Sequence, residues 1–230
     1  MLIECIGLPG AGKTTVAHAI GQHMPLCQVR SGALRKLQYR CARVINAFGG
    51  SSRKGHPVVG ELLRRHAPNT RRAAAQHFNL LWRARKADVY QRRNRVVVSD
   101  ELLIQGIFTT FGPTAVPPAD LRIGVEKLIL STYRPDRVCF LRIHPPKERW
   151  LAQLKTRRAG RSRFGRSSSQ KAIRTLTNDR LYSDVILPVL IENGFRVVDL
   201  RTSQPCVLQE LVASMAEELG GDTHESRARP

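Results

Sequence analysis

The chain has 230 residues, 42% of them hydrophobic, which is enough for one α/β domain with an ample core. No stretch approaches the ~18 uninterrupted apolar residues of a membrane span, and the short apolar run at the start carries no basic leader, so a signal peptide is not expected and a cytoplasmic location is. Lys and Arg number 38 against 18 Asp and Glu, a net charge of +20 that fits an anionic partner (nucleic acid, an acidic membrane surface or a phosphorylated substrate) or an arginine-biased composition.

The chain opens on an apolar run, Leu2-Ile3-Glu4-Cys5-Ile6, that feeds Gly7-Leu8-Pro9-Gly10-Ala11-Gly12-Lys13-Thr14-Thr15 and then a helical pattern through Val16, Ala17 and Ile20. Strand, glycine-rich turn and helix together match the phosphate-binding loop G-x-x-x-x-G-K-[ST]. The glycines let successive N–H groups curl around one anion, and the helix from Lys13 adds the positive end of its dipole. Lys13 is expected to reach the β/γ-phosphates and the Thr14 hydroxyl to hold Mg²⁺; Gly7, Gly10, Ala11, Gly12 and Thr15 complete the expected ATP site.

Leu26 to Val29 reads as a short second strand. The turn Arg30 to Arg35 follows, then a helical stripe from Leu34 to Phe48, a loop over 49–57 and a short helix ending near Pro68. Thr70 to Arg92 predicts a longer helix with Phe78, Leu81, Trp82 and Val89 on its apolar side. Arg85 lies between Leu81 and Val89, where an arginine either snorkels to water or reaches into a phosphate pocket. Val96-Val97-Val98-Ser99-Asp100-Glu101 is a continuous β-branched run ending in acid, the pattern of a buried parallel strand with a carboxylate at its carboxyl end. Ligands of open α/β sheets bind along that edge. Helices are expected over 102–111, from Pro117-Pro118 through Ile129, and from Pro145; strands over 137–143 and 195–200.

Lys155 to Ser169 is small, basic and rich in glycine and serine: a solvated linker or a flap that closes on phosphate. The pattern from Gln170 to Asn193 is a long helix kinked at Pro188, stopped at Asn193-Gly194. Cys206 to Leu219 closes the domain with an amphipathic helix, and 220–230 is a polar, disordered tail. Cys5 and Cys139 fall inside strands and read as small reduced core residues. Strands alternating with helices predict an α/β fold: a three-layer sandwich with about five parallel strands, a helical acceptor region at about 30–93 and a basic lid at about 157–169, all within a single domain spanning 1–219.

These features come in the order seen in nucleoside monophosphate kinases, which the chain resembles over nearly its whole length. The stretch from Val138 to Leu219 is similar to thymidylate kinase, and Ser31-Gly32-Ala33-Leu34-Arg35 resembles the acceptor turn of adenylate kinase. The resemblance implies a P-loop kinase that uses ATP and Mg²⁺. It also implies acceptor contacts from the Ser31, Gly32 and Arg35 turn and a lid role for Arg157; the reading of the residues adds Arg85 beside the acceptor and Arg161 or Arg163 closing with Arg157 onto the transferring group. The chain departs from thymidylate kinases in having Asp100-Glu101 where they have Asp-Arg, and Gln153 where they carry an arginine. Asp100 is expected to hold Mg²⁺ through water or to accept a proton. Glu101 is a second candidate base or a cap for the next helix. A phosphate acceptor is already ionised and needs no base, whereas a hydroxyl gains from one, so two adjacent carboxylates favour a hydroxyl-bearing acceptor. The rival reading is a regulatory P-loop ATPase or a basic nucleic-acid-binding module without a small acceptor. A homodimer is a further partner left open.

Overall fold

The computed structural model describes residues 1–7, 11–23, 28–30, 56–66, 69–93, 95–111, 116–144 and 181–201. Five strands, β1 (Leu2–Ile6), β2 (Gln28–Arg30), β3 (Val97–Ser99), β4 (Val138–His144) and β5 (Arg196–Arg201), form one parallel sheet in the order β2-β3-β1-β4-β5. The second strand ends at Arg30, one residue past the predicted Val29, while Leu26 and Cys27 lie outside the described residues. The helices among the described residues are α1 (Lys13–His23), α2 (His56–His66), α3 (Thr70–Gln91), α4 (Leu103–Phe111), α5 (Pro118–Thr132) and α6 (Leu187–Glu192). The predicted helix at 34–48, the basic stretch at 155–169, the closing helix and the tail lie outside the described residues.

Alternation along β1 divides the core in two. Ile3 and Cys5 join Val16, Ala17 and Ile20 of α1 on one face of the sheet. Leu2 and Ile6 join Leu63 of α2, Leu80 of α3, Ile104 of α4, Leu128 of α5 and Leu190 of α6 on the other. All five residues of β1 are buried, as is usual for a central parallel strand covered on both faces. Glu4 is the exception in kind: a carboxylate with no exposed surface in the middle of that strand.

Two helices differ from the predicted pattern. On α3 the buried stripe is Ala73, Leu80, Ala84, Ala87, Tyr90 and Gln91, while Val89 is 44% exposed. Small alanines let α3 approach its neighbours closely, and the larger Phe78, Leu81 and Trp82 are only half-buried at the flank. Ahead of α6 the chain makes a π turn over Tyr182–Ile186, closed by the Leu187 N–H donating to the Tyr182 carbonyl five residues back. Pro188, the next residue, has no N–H to give the carbonyl of Asp184, so the bonding slips here instead of producing a simple kink. Asn193-Gly194 ends the helix, as expected.

The strand order places β1 between β3 and β4, with Glu4 level with Ser99 and with Phe140. The carboxyl ends of β1 and β3, which carry the glycine loop and the acidic turn, therefore emerge side by side.

Candidate active site

The loop after β1 is built on backbone that side chains disfavour. Gly7 has φ +146° and Gly12 φ +89°. A Cβ on Gly7 would also lie 2.7 Å from the Ile143 carbonyl oxygen of β4, so the loop's first residue is fixed by both conformation and space. Helix α1 begins at once, the Val16 N–H donating to the Gly12 carbonyl at 3.0 Å. The Lys13 ammonium donates back across the loop to the Gly7 carbonyl at 2.9 Å. Ala11 is buried beneath the loop, while Thr14 and Thr15 are exposed at its mouth.

Asp100 meets this loop from the end of β3. It is 4% exposed, and its Oδ2 accepts a hydrogen bond from the Thr14 hydroxyl at 2.5 Å. Its Oδ1 is buried with no hydrogen-bond partner among the described residues. A hydroxyl and a carboxylate with an uncommitted oxygen, side by side at a loop suited to phosphate, are the hard oxygen donors that Mg²⁺ selects, so the residues fit that ion. Glu101, next in the turn, is half-buried. Arg85 is also half-buried, on the flank of α3. Gly10, Ser31, Gly32, Arg35, Arg157 and Arg161 lie outside the described residues.

The arginine of α3 that turns towards the sheet is Arg83. Its Nη1 donates to the Leu102 carbonyl at 3.0 Å, in the turn carrying Asp100 and Glu101, and its Nε to Asn79 Oδ1 at 3.3 Å. Beneath the same turn, Glu4 Oε1 accepts the Ile104 N–H at 3.0 Å, and Oε2 accepts a short hydrogen bond from the Tyr133 hydroxyl. Burial pushes the Glu4 carboxyl up to about 7 against the opposing pull of these hydrogen bonds and of Arg83. Sequence reasoning singled out neither Glu4 nor Arg83. The available signal was a lone charge inside an apolar strand, which must find partners if buried.

Further along the carboxyl edge, the Arg142 guanidinium lies 4.4 Å from the Tyr182 ring centroid. Asp199 Oδ1 is 3.8 Å from Arg142 Nη1 and 3.5 Å from His144 Nε2. The thiols of Cys5 and Cys139 are free and buried, and burial pushes both up, which keeps them protonated and inert as core residues.

Solved structures share this architecture. Deoxyadenosine kinase from M. mycoides with bound dATP superposes with a TM-score of 0.58 at 12% identity, covering 94% of this chain and 100% of that one. The same kinase with products dCMP and a flexible dCDP gives a TM-score of 0.55 at 12% identity, covering 96% and 100%. Thymidylate kinase from Candida albicans gives 0.53 at 13% identity, covering 96% and 92%. At these identities the likeness is one of fold. The chain has the P-loop nucleoside monophosphate kinase-like fold that the sequence resemblance implied. No protein-family model matches the chain, and no curated protein matches its sequence.

Proposed function

We propose that this protein is a P-loop kinase that moves the γ-phosphate of Mg-ATP to a small acceptor, nucleotide- or hydroxyl-bearing. The observation that carries the reading is the joining of loop and acidic turn: Thr14 bonded to Asp100 at 2.5 Å, with Lys13 bonded to the loop's first carbonyl. Nucleotides bound to deoxyadenosine kinase on a similar fold support a nucleotide at this edge.

On this reading the chain's own groups supply positioning and charge, which phosphoryl transfer needs more than covalent help. Loop N–H groups and the α1 N-terminus hold the donor phosphates. Lys13 leaves the Gly7 carbonyl for the β/γ-oxygens and follows charge onto the transferring group. Thr14 and Asp100 would hold Mg²⁺, which when bound neutralises charge on those oxygens. Glu101, beside Asp100, takes the proton of an acceptor hydroxyl. Arg157, with Arg161, closes from the basic segment onto the transferring phosphate. Ser31, Gly32, Arg35 and Arg85 hold an anionic end of the acceptor.

A product-detected screen with γ-labelled ATP against nucleotides, sugars and alcohols tests the reading. Once an acceptor is in hand, Arg35→Ala should raise its KM while leaving ATP binding nearly intact, and Glu101→Gln should mainly lower kcat. If both variants match wild type, the acceptor assignment is wrong.

A further inference from the structure

Behind the turn that delivers Asp100 stands a helix whose capping position carries an apolar side chain. Helix α4 starts at Leu103, and the residue at the capping position is Leu102, whose side chain offers no acceptor to the free N–H groups of the first turn. Glu4 fills that place from another strand. Its Oε1 accepts the Ile104 N–H at 3.0 Å. A carboxylate at this position also faces the positive end of the α4 dipole. The Tyr133 hydroxyl, from the end of α5, donates to the other oxygen and fixes the rotamer. Arg83 completes the clamp by donating to the Leu102 carbonyl at 3.0 Å. Its path runs over Gly106 of α4, where a Cβ would come within 2.6 Å of Arg83 Cδ.

Glu4 stands three residues before Gly7 on the strand that carries the phosphate loop, level with Ser99, the residue before Asp100. The acidic turn is therefore tied to the β1–loop unit twice: above, by Thr14 on Asp100, and below, by Glu4 on the first turn of α4. We propose that Glu4, with Arg83, is a positioning residue for the transfer reaction, setting Asp100 and Glu101 against the phosphate loop through the backbone of α4. The inference rests on the kinase reading of the site. A displacement of about 1 Å at reacting groups costs on the order of 10²-fold in rate, so a clamp remote from substrate can govern kcat.

The test compares Glu4→Gln, Glu4→Leu and Arg83→Met with wild type. Far-UV circular dichroism and melting establish folding, and titration with a fluorescent ATP analogue and Mg²⁺ measures nucleotide binding. Glu4→Gln keeps an acceptor for Ile104 and should retain kcat within about threefold, whereas Glu4→Leu and Arg83→Met should lose roughly tenfold or more in kcat with KM for ATP little changed. Hydrogen exchange of the Leu102–Gln105 amides should speed up in both damaging variants. Should Glu4→Leu not fold, Arg83→Met, altered on a half-buried side chain, decides alone through the same kcat and exchange readouts. Folded variants with wild-type kcat and unchanged exchange overturn the proposal. Wild-type protein that binds no Mg-nucleotide and transfers no phosphate overturns the kinase reading instead, and the exchange measurement still reports on the clamp.

Discussion

Asp100 and Lys13 are the residues to which the proposed reaction assigns most, and their substitutions should separate function from folding. Asp100 holds a carboxylate in a 4% exposed position with one oxygen bonded to Thr14 and the other to no partner among the described residues. Such a group costs stability. Asp100→Asn should therefore melt at or above the wild-type temperature while transfer falls by ~10²-fold or more, a trade typical of functional sites. Lys13→Ala should fold normally and lose turnover by a similar ~10²-fold, as expected for removal of a main electrostatic stabiliser of the transferring group; near-normal turnover in that variant would contradict the loop assignment. Glu4 sets a pH dependence of stability. Its folded pKa, about 7, lies above the ordinary 4.5, with burial as the main cause. Between these values the folded protein holds a proton that the unfolded chain has lost. The stabilisation is fully present below about 4.5 and is lost as pH rises through about 7, a change of roughly 3 kcal/mol from a shift of this size. Melting temperatures measured from pH 4.5 to 8 should fall more steeply for wild type than for Glu4→Gln, which has no proton to lose; parallel profiles would rule out Glu4 as the source.

The elements were legible in the sequence where one physical rule governed them. β1, β3 and β4 read as largely apolar runs because central parallel strands are buried on both faces, and Gly7 and Gly12 marked a turn after β1 because their positive φ values suit few other residues. Reading failed where side-chain size and polarity pulled apart. Phe78, Trp82 and Val89 advertised the apolar side of α3, yet the buried stripe is built on Ala73, Ala84 and Ala87, with Gln91 inside it. Gln91 is tolerated there because its amide donates to the Thr132 carbonyl at 2.5 Å and accepts the Arg134 N–H at 3.0 Å, partners that no local pattern reveals. The same holds for Glu4, whose partners lie 100 and 129 residues away in sequence. The slip in bonding before α6 was half-legible: Pro188 marked the place but not its form. Close helix packing gives a further prediction. Gly124 of α5 is buried against α2, and a Cβ there would meet Leu62 Cδ1 at 2.4 Å. Alanine gains about 1 kcal/mol of helix propensity but overpacks a contact at a cost of about 1–3 kcal/mol, so Gly124→Ala should be net destabilising by about 1 kcal/mol in urea titration. A stabilised variant would show that the Leu62 side chain yields to the added methyl at little cost.

At the scale of the whole molecule, two properties compete to explain what the protein meets: a fold whose glycine loop and acidic turn converge at one sheet edge, and a net charge of +20. Ionic strength separates them. Binding that depends on neutralising a nucleic-acid backbone weakens steeply with salt, its logarithm falling in proportion to the phosphates contacted. Mg-ATP saturation at a built loop should change little between roughly 50 and 200 mM salt, the range over which such nucleic-acid binding drops by orders of magnitude. The central claim, that loop and turn form one phosphoryl-transfer site, is tested most directly by incubating wild type and Asp100→Asn with γ-labelled ATP, Mg²⁺ and a panel of nucleotides, sugars and alcohols, and separating the products. The account predicts a labelled acceptor with wild type and little or none with a folded Asp100→Asn. Label appearing only as inorganic phosphate, or an equal yield from both proteins, would contradict it.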